Sequence, residues 1–110
     1  MEIMKKIAAK AANLGGSKIP TIAFLGDSVT QGCFECYRLS EGDIQTIFDK
    51  DHAYHRYIDR ILSMLYPNVP LNIINAGISG DNAAGGLERL SRDVLCHKPD
   101  LTVVCFGLND

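Results

Sequence analysis

No stretch of this chain is apolar for long. Nothing approaches the roughly 18 consecutive apolar residues of a membrane-spanning helix, so a helical span and a membrane partner are not expected. The N-terminus, Met1 to Asn13, sets Lys5, Lys6 and Lys10 among Ile and Ala residues. A secretory signal needs an uninterrupted apolar stretch of about 7–15 residues behind its basic end. Lys10 breaks that stretch, so the segment reads as an amphipathic helix and the expected location is the cytoplasm. A dense basic stripe is also missing. Lys and Arg number 11 against 13 Asp and Glu, for a net charge of −2, which excludes electrostatic binding of nucleic acid. There is no repeat and no low-complexity segment. A second metal-binding cysteine pair is lacking too. Cys33 and Cys36 form a C-x-x-C, which fits a redox pair or half of a zinc site, but Cys96 and Cys105 are poorly spaced and Cys105 lies in a strand-like run. No metal site is expected, and the four cysteines read as incidental thiols in a reducing compartment.

What remains is an ordinary globular composition, 46% hydrophobic and 22% charged, in 110 residues, at the low end for an α/β domain. Three short runs, Ile19 to Leu25, Leu71 to Ile74 and Leu101 to Phe106, are rich in Ile, Val and Leu and do not alternate. That is the pattern of strands buried on both faces of a parallel sheet. Between the first and second runs, a helix is predicted from about Ala53, with Tyr54, Ile58, Ile61, Leu62 and Leu65 on one face and Pro67 closing it. Between the second and third, Asp81 or Asn82 can cap a helix whose Ala83, Leu87, Leu90 and Val94 recur at helical spacing, with Pro99 at its end. Gly15 and Gly16 are placed to stop the N-terminal helix. The pattern is β-α-β-α-β, with right-handed crossovers and strand order 2-1-3 expected. Cys33 to Lys50 lacks a clean period, and either a short helix around Ile44 to Phe48 or a flap beside a site fits it. The chain stops directly after the third strand, leaving an uncovered apolar face and an open sheet edge. Residues 1–110 therefore read as the N-terminal part of a single domain whose C-terminal part is absent. Such a chain is expected to self-associate or to pair with the missing half.

Three loops leave the same edge of this sheet. Gly26-Asp27-Ser28 follows the first strand without a gap, at the carboxyl end where open α/β folds place their ligands. Taken alone, the tripeptide reads equally as a helix cap at Asp27 or Ser28. After the second strand come Asn75-Ala76-Gly77-Ile78-Ser79-Gly80-Asp81-Asn82, and after the third, Gly107-Leu108-Asn109-Asp110. Gly80 permits close backbone approach and Asn109 offers an amide donor. A hydroxyl nucleophile ringed by a backbone N–H and an amide is suited to acyl transfer. Phosphate-loop and dinucleotide readings fail on spacing: Cys33 stands where a Lys should follow Gly32, and Gly77-x-x-Gly80 lacks the first half of its fingerprint.

The ordered blocks Gly-Asp-Ser, Asn-x-Gly-x-x-Gly-Asp and Gly-x-Asn-Asp resemble the first three of the SGNH (GDSL-type) hydrolases, over roughly Ile19 to Asp110. Val29 replaces the usual Leu of the name motif. The resemblance implies a flavodoxin-like three-layer α/β/α fold, of which the first three strands are present. It implies a serine esterase cleaving a small or medium acyl ester of a small molecule, such as an acetylated sugar, a lysophospholipid or a thioester, with no cofactor and no metal. Ser28 would be the nucleophile, and its own N–H, the Gly80 N–H and the Asn109 side chain would form the oxyanion hole. Gly26, Asp27, Asn75, Gly77 and Asp110 would support them. The family's late Asp-x-x-His has no match here. Of the three histidines, His97 falls on the wrong edge of the sheet, and His52 and His55 read as solvated helix-terminal residues. A pocket without a base would instead be a non-catalytic binding module.

Overall fold

The computed structural model describes all residues, 1–110. Helix α1 (Glu2–Ala12) leads into strand β1 (Thr21–Gly26), the short helix α2 (Ser28–Gln31), an antiparallel hairpin β2 (Cys33–Ser40) and β3 (Asp43–Phe48), helix α3 (Tyr54–Leu65), strand β4 (Asn72–Gly77), helix α4 (Ala83–Asp93) and strand β5 (Leu101–Cys105). The three-stranded sheet has the order β4-β1-β5, parallel throughout, as the crossover pattern requires.

The central strand fixes the layers. Every residue of β1 is buried, because neighbouring strands flank it and helices cover both its faces. Ile22 and Phe24 point one way, into a core with Ile3 and Ile7 of α1, Leu62 of α3 and Val69. Ala23 and Leu25 point the other way, onto Ala76 and Val94, with Leu90 of α4 packed alongside. The result is a three-layer α/β/α arrangement. Burying a side chain such as the fully enclosed Phe24 is worth about 1.5–3 kcal/mol over leaving it exposed.

The second layer of helix is thinner than the first. Beside the edge strand β5, Val104 is 62% exposed and Leu87 of α4 is 72% exposed. They border an all-apolar recess of about 170 Å³ with Leu25, Ala83, Leu90 and Phe106.

Several local expectations are corrected. The segment after Gly32 holds no helix around Ile44 to Phe48 but a hairpin, paired from Cys33↔Phe48 to Ser40↔Asp43. Both of its faces meet water, so it has no apolar alternation to announce it. The α1 helix does not end on a left-handed glycine; Asn13 terminates it in extended conformation, φ −147°, and neither Gly15 nor Gly16 has a positive φ. In α3 the buried face is turned toward His55 and Leu62, leaving Ile61 and Leu65 exposed. In α4 it is turned toward Gly86 and Arg89. The second strand starts at Asn72 and runs on through Asn75, Ala76 and Gly77, so the loop there begins only at Ile78.

Candidate active site

Ser28 opens α2 immediately beyond the carboxyl end of β1, and Asp27 is its cap: the buried carboxylate accepts the Val29 N–H at 3.0 Å. The cap reading thus applies to Asp27 and leaves the half-buried Ser28 hydroxyl uncommitted to it. The Asn75 segment is latched to this short helix. Asn75 Nδ2 donates to the Gln31 carbonyl at 3.2 Å, its Oδ1 accepts the Gly77 N–H at 3.0 Å, and Gln31 Oε1 accepts the Ser79 N–H at 2.7 Å. A Cβ on Gly77 would stand 2.1 Å from Gln31 N, so only glycine lets β4 and α2 come this close. Gly80 follows in the left-handed region, φ +81°, which side-chain-bearing residues adopt at a cost of about 1–2 kcal/mol.

The third loop is tied to the second. Asn109 Nδ2 donates to the Asp81 carbonyl at 2.9 Å, and Asp110 Oδ1 accepts the Ala83 N–H at 2.9 Å at the start of α4. Asn82 caps that helix through Gly85 N. Ser28, Gly80 and Asn109 therefore all lie on the carboxyl edge of the sheet, in loops joined by hydrogen bonds through Gln31 and Asp81.

One residue that organises this edge carries no signal in the sequence blocks. Arg89, buried in α4, donates to the Gly26 carbonyl at 3.0 Å and the Ala76 carbonyl at 2.7 Å, and pairs with Asp81 at 2.7 Å. A single guanidinium thus binds the ends of β1 and β4 and the loop that carries Gly80, using the fixed fork of donors that Lys lacks. The available hint was its spacing from Asp81, which only a helix turning back over the sheet makes meaningful.

The three histidines differ in their surroundings. His52 is exposed and pairs with Asp49 at 2.7 Å. His55 is not solvated as expected but buried: its Nε2 donates to the Thr30 carbonyl at 3.1 Å, its Nδ1 has no partner, and the rings of Phe24 and Tyr54 lie against it. Burial pushes the His55 pKa below its ordinary value. His97 lies in a short turn just before β5, at the amino end of the sheet.

The profile of the GDSL-like lipase/acylhydrolase family matches residues 24–110, and so takes in all three loops. The chain belongs to this family. An acetylxylan esterase of Geobacillus stearothermophilus is 30% identical over 89 residues, covering 81% of this chain and 39% of that enzyme. Among solved structures, a two-domain esterase active on acetylated mannans superposes with a TM-score of 0.70 at 28% identity, over 99% of this chain and 25% of its own. The lipase/acylhydrolase from Enterococcus faecalis superposes with a TM-score of 0.62 at 29% identity, over 82% of this chain and 40% of its own. The chain thus spans well under half the length of these relatives. The SGNH-type α/β fold and the esterase family expected from the sequence blocks are both established by these likenesses.

Proposed function

We propose that this chain supplies the nucleophile and oxyanion hole of a serine esterase that removes small acyl groups, acetyl foremost, from a carbohydrate ester. The observation that carries the reading is the convergence of the Ser28, Gly80 and Asn109 loops on one sheet edge, with Asn109 donating to the carbonyl of Asp81, the residue after Gly80. The acetylated xylan and mannan in the names of two relatives favour an acetylated sugar over a lysophospholipid or a thioester.

In this mechanism the Ser28 Oγ attacks the ester carbonyl carbon. The carbonyl oxygen, now an oxyanion, is held by the N–H groups of Ser28 and Gly80 and by the Asn109 amide. One N–H of that amide is spent on Asp81, and the other is left for the oxyanion. The sugar hydroxyl departs, and water then releases the acid from the acyl-serine. A serine hydroxyl needs a base within hydrogen-bond reach to become a good nucleophile. His52, His55 and His97 are bound to other partners or set on the other edge, so the reading assigns the base to a segment outside these residues. Pairing with that segment, or with a second copy, would also cover the recess around Val104 and Leu87. The lack of an assigned base among these residues favours one alternative, a binding module that holds an ester without turning it over.

Hydrolysis of p-nitrophenyl acetate and of acetylated xylo- or manno-oligosaccharides separates these readings. Residues 1–110 alone are expected to be nearly inert, and the full reading frame active. In the active protein Ser28→Ala abolishes turnover, and Asn109→Ala lowers kcat by roughly 10²–10³, the usual loss for one oxyanion donor. A full-length protein that binds acetylated oligosaccharide without releasing acetate would establish the binding module instead.

A further inference from the structure

We propose that Cys33 and Cys36 form a reversible dithiol–disulfide pair, a modification site at the base of the hairpin that leaves the candidate active site. Side chains alternate along a strand, so residues three apart face opposite ways, and two such cysteines would not meet. Here β2 is bulged. Cys33 pairs with Phe48 and Glu35 with Ile47, so β2 spends two residues where β3 spends one, and Phe34 is the extra one. A bulge of this kind resets the alternation, and the Cys33 and Cys36 sulfurs lie 3.6 Å apart. A disulfide length of about 2.05 Å is a short approach from that separation.

The surroundings favour a dithiol over a metal site. No group of three or more His, Cys, Asp or Glu side chains gathers there or elsewhere in the chain, whereas structural zinc sites use four ligands. Reagents can reach the pair, since Cys36 is exposed and Cys33 half-buried. The other two thiols lack a sulfur partner: Cys96 donates to the Arg92 carbonyl and Cys105 closes β5.

A low-molecular-weight disulfide such as glutathione disulfide completes the chemistry. One cysteine thiolate attacks a glutathione sulfur, breaks its S–S bond and releases one glutathione thiolate, leaving a mixed disulfide. The second cysteine thiolate attacks the protein sulfur of that mixed disulfide and expels the other glutathione. The two cysteines are oxidised, glutathione disulfide is reduced to two thiols, and the two cysteine protons end on those thiols. Excess glutathione runs the exchange backwards. Burial and the contact with Cys36 push the Cys33 pKa up, which lowers the thiolate fraction of that sulfur near neutrality. The bond would fix the bulge, and with it Phe34, which together with Cys33, Val29, Tyr54 and Tyr57 lines a cavity of about 290 Å³.

The folded chain is incubated with graded ratios of oxidised to reduced glutathione, quenched in acid, alkylated and mapped by mass spectrometry. The expected product has lost two hydrogens and two alkylatable thiols. Its link lies within the peptide holding residues 33–36, dithiothreitol reverses it, and Cys96 and Cys105 are still alkylated. In Cys33→Ser and in Cys36→Ser the remaining cysteine carries glutathione and no internal link forms. The proposal is overturned if wild-type Cys33 and Cys36 stay alkylatable, if each carries glutathione separately, or if either links to Cys96, Cys105 or a second chain instead.

Discussion

The sheet's carboxyl edge and the hairpin are adjacent in sequence yet are held together by different means. The edge is dense: β1 is buried throughout, and the buried Arg89 guanidinium binds two strand ends and Asp81. The hairpin rests on its own cross-strand pairing, with Phe34, Leu39 and Ile44 more than 60% exposed. A two-stranded hairpin by itself is marginal in water. The site therefore sits where a rigid frame ends and a compliant appendage begins. That division leaves the Ser28 edge fixed and the hairpin freer to move.

The largest test of that contrast exchanges one arginine in each region. Arg89→Ala strands the largely buried Asp81 carboxylate and two strand-end carbonyls, and should cost about 3–5 kcal/mol in urea unfolding, the usual loss on breaking a buried pair. Arg38→Ala, on the exposed hairpin strand, should stay within about 0.5 kcal/mol. Equal losses would end the distinction between frame and appendage.

A smaller effect is expected at Gly77. An added methyl group meets the backbone of α2, and overpacking of that kind costs roughly 1–3 kcal/mol. Because the yielding element carries Ser28, Gly77→Ala in the active full-length protein should lower kcat more than it raises KM. A pure KM effect would argue that α2 does not move.

The smallest effect concerns pH. His55 is buried neutral and its folded pKa lies below that of the unfolded chain, about 6.5. The unfolded state then binds more protons as pH falls, so the contribution of His55 is whole above about 6.5 and is lost progressively as pH drops toward the folded pKa. Unfolding midpoints at about pH 7.5 and 5.5 should differ less in His55→Gln than in the wild type. An unchanged difference would assign the acid sensitivity to other groups.

How much of this was legible in the sequence follows from where each residue's constraint lies. The three parallel strands could be read because their apolar runs are continuous, although two-sided burial holds only for β1; β4 and β5, each paired on one side, are partly exposed. The Ser28, Gly80 and Asn109 loops could be read because their spacing follows from strand ends facing one way. The hairpin could not be read, since strands wet on both faces need no alternation, and Phe34, Tyr37 and Ile44 sit among Glu35, Arg38 and Gln45 without order. The role of Arg89 was hidden for another reason: its partners are main-chain carbonyls at Gly26 and Ala76, which any sequence supplies. His55 was misjudged because a helix-start histidine is ordinarily wet, and what buries this one is the approach of Phe24, some 30 residues earlier.

The register of β1 also sets an order of events as the chain is made. Its partner residues are Asn72 to Gly77 on one side and Leu101 to Cys105 on the other, so Thr21 to Gly26 stays unpaired while the next 45 residues or so are being made. It stays half-paired until residue 101 has emerged. Such long closures make parallel sheets slow to form and open to wrong partners in the interval. A nascent chain halted just short of Leu101 would hold its most apolar strand with one flank exposed, and should bind a chaperone more tightly than one released only a few residues later.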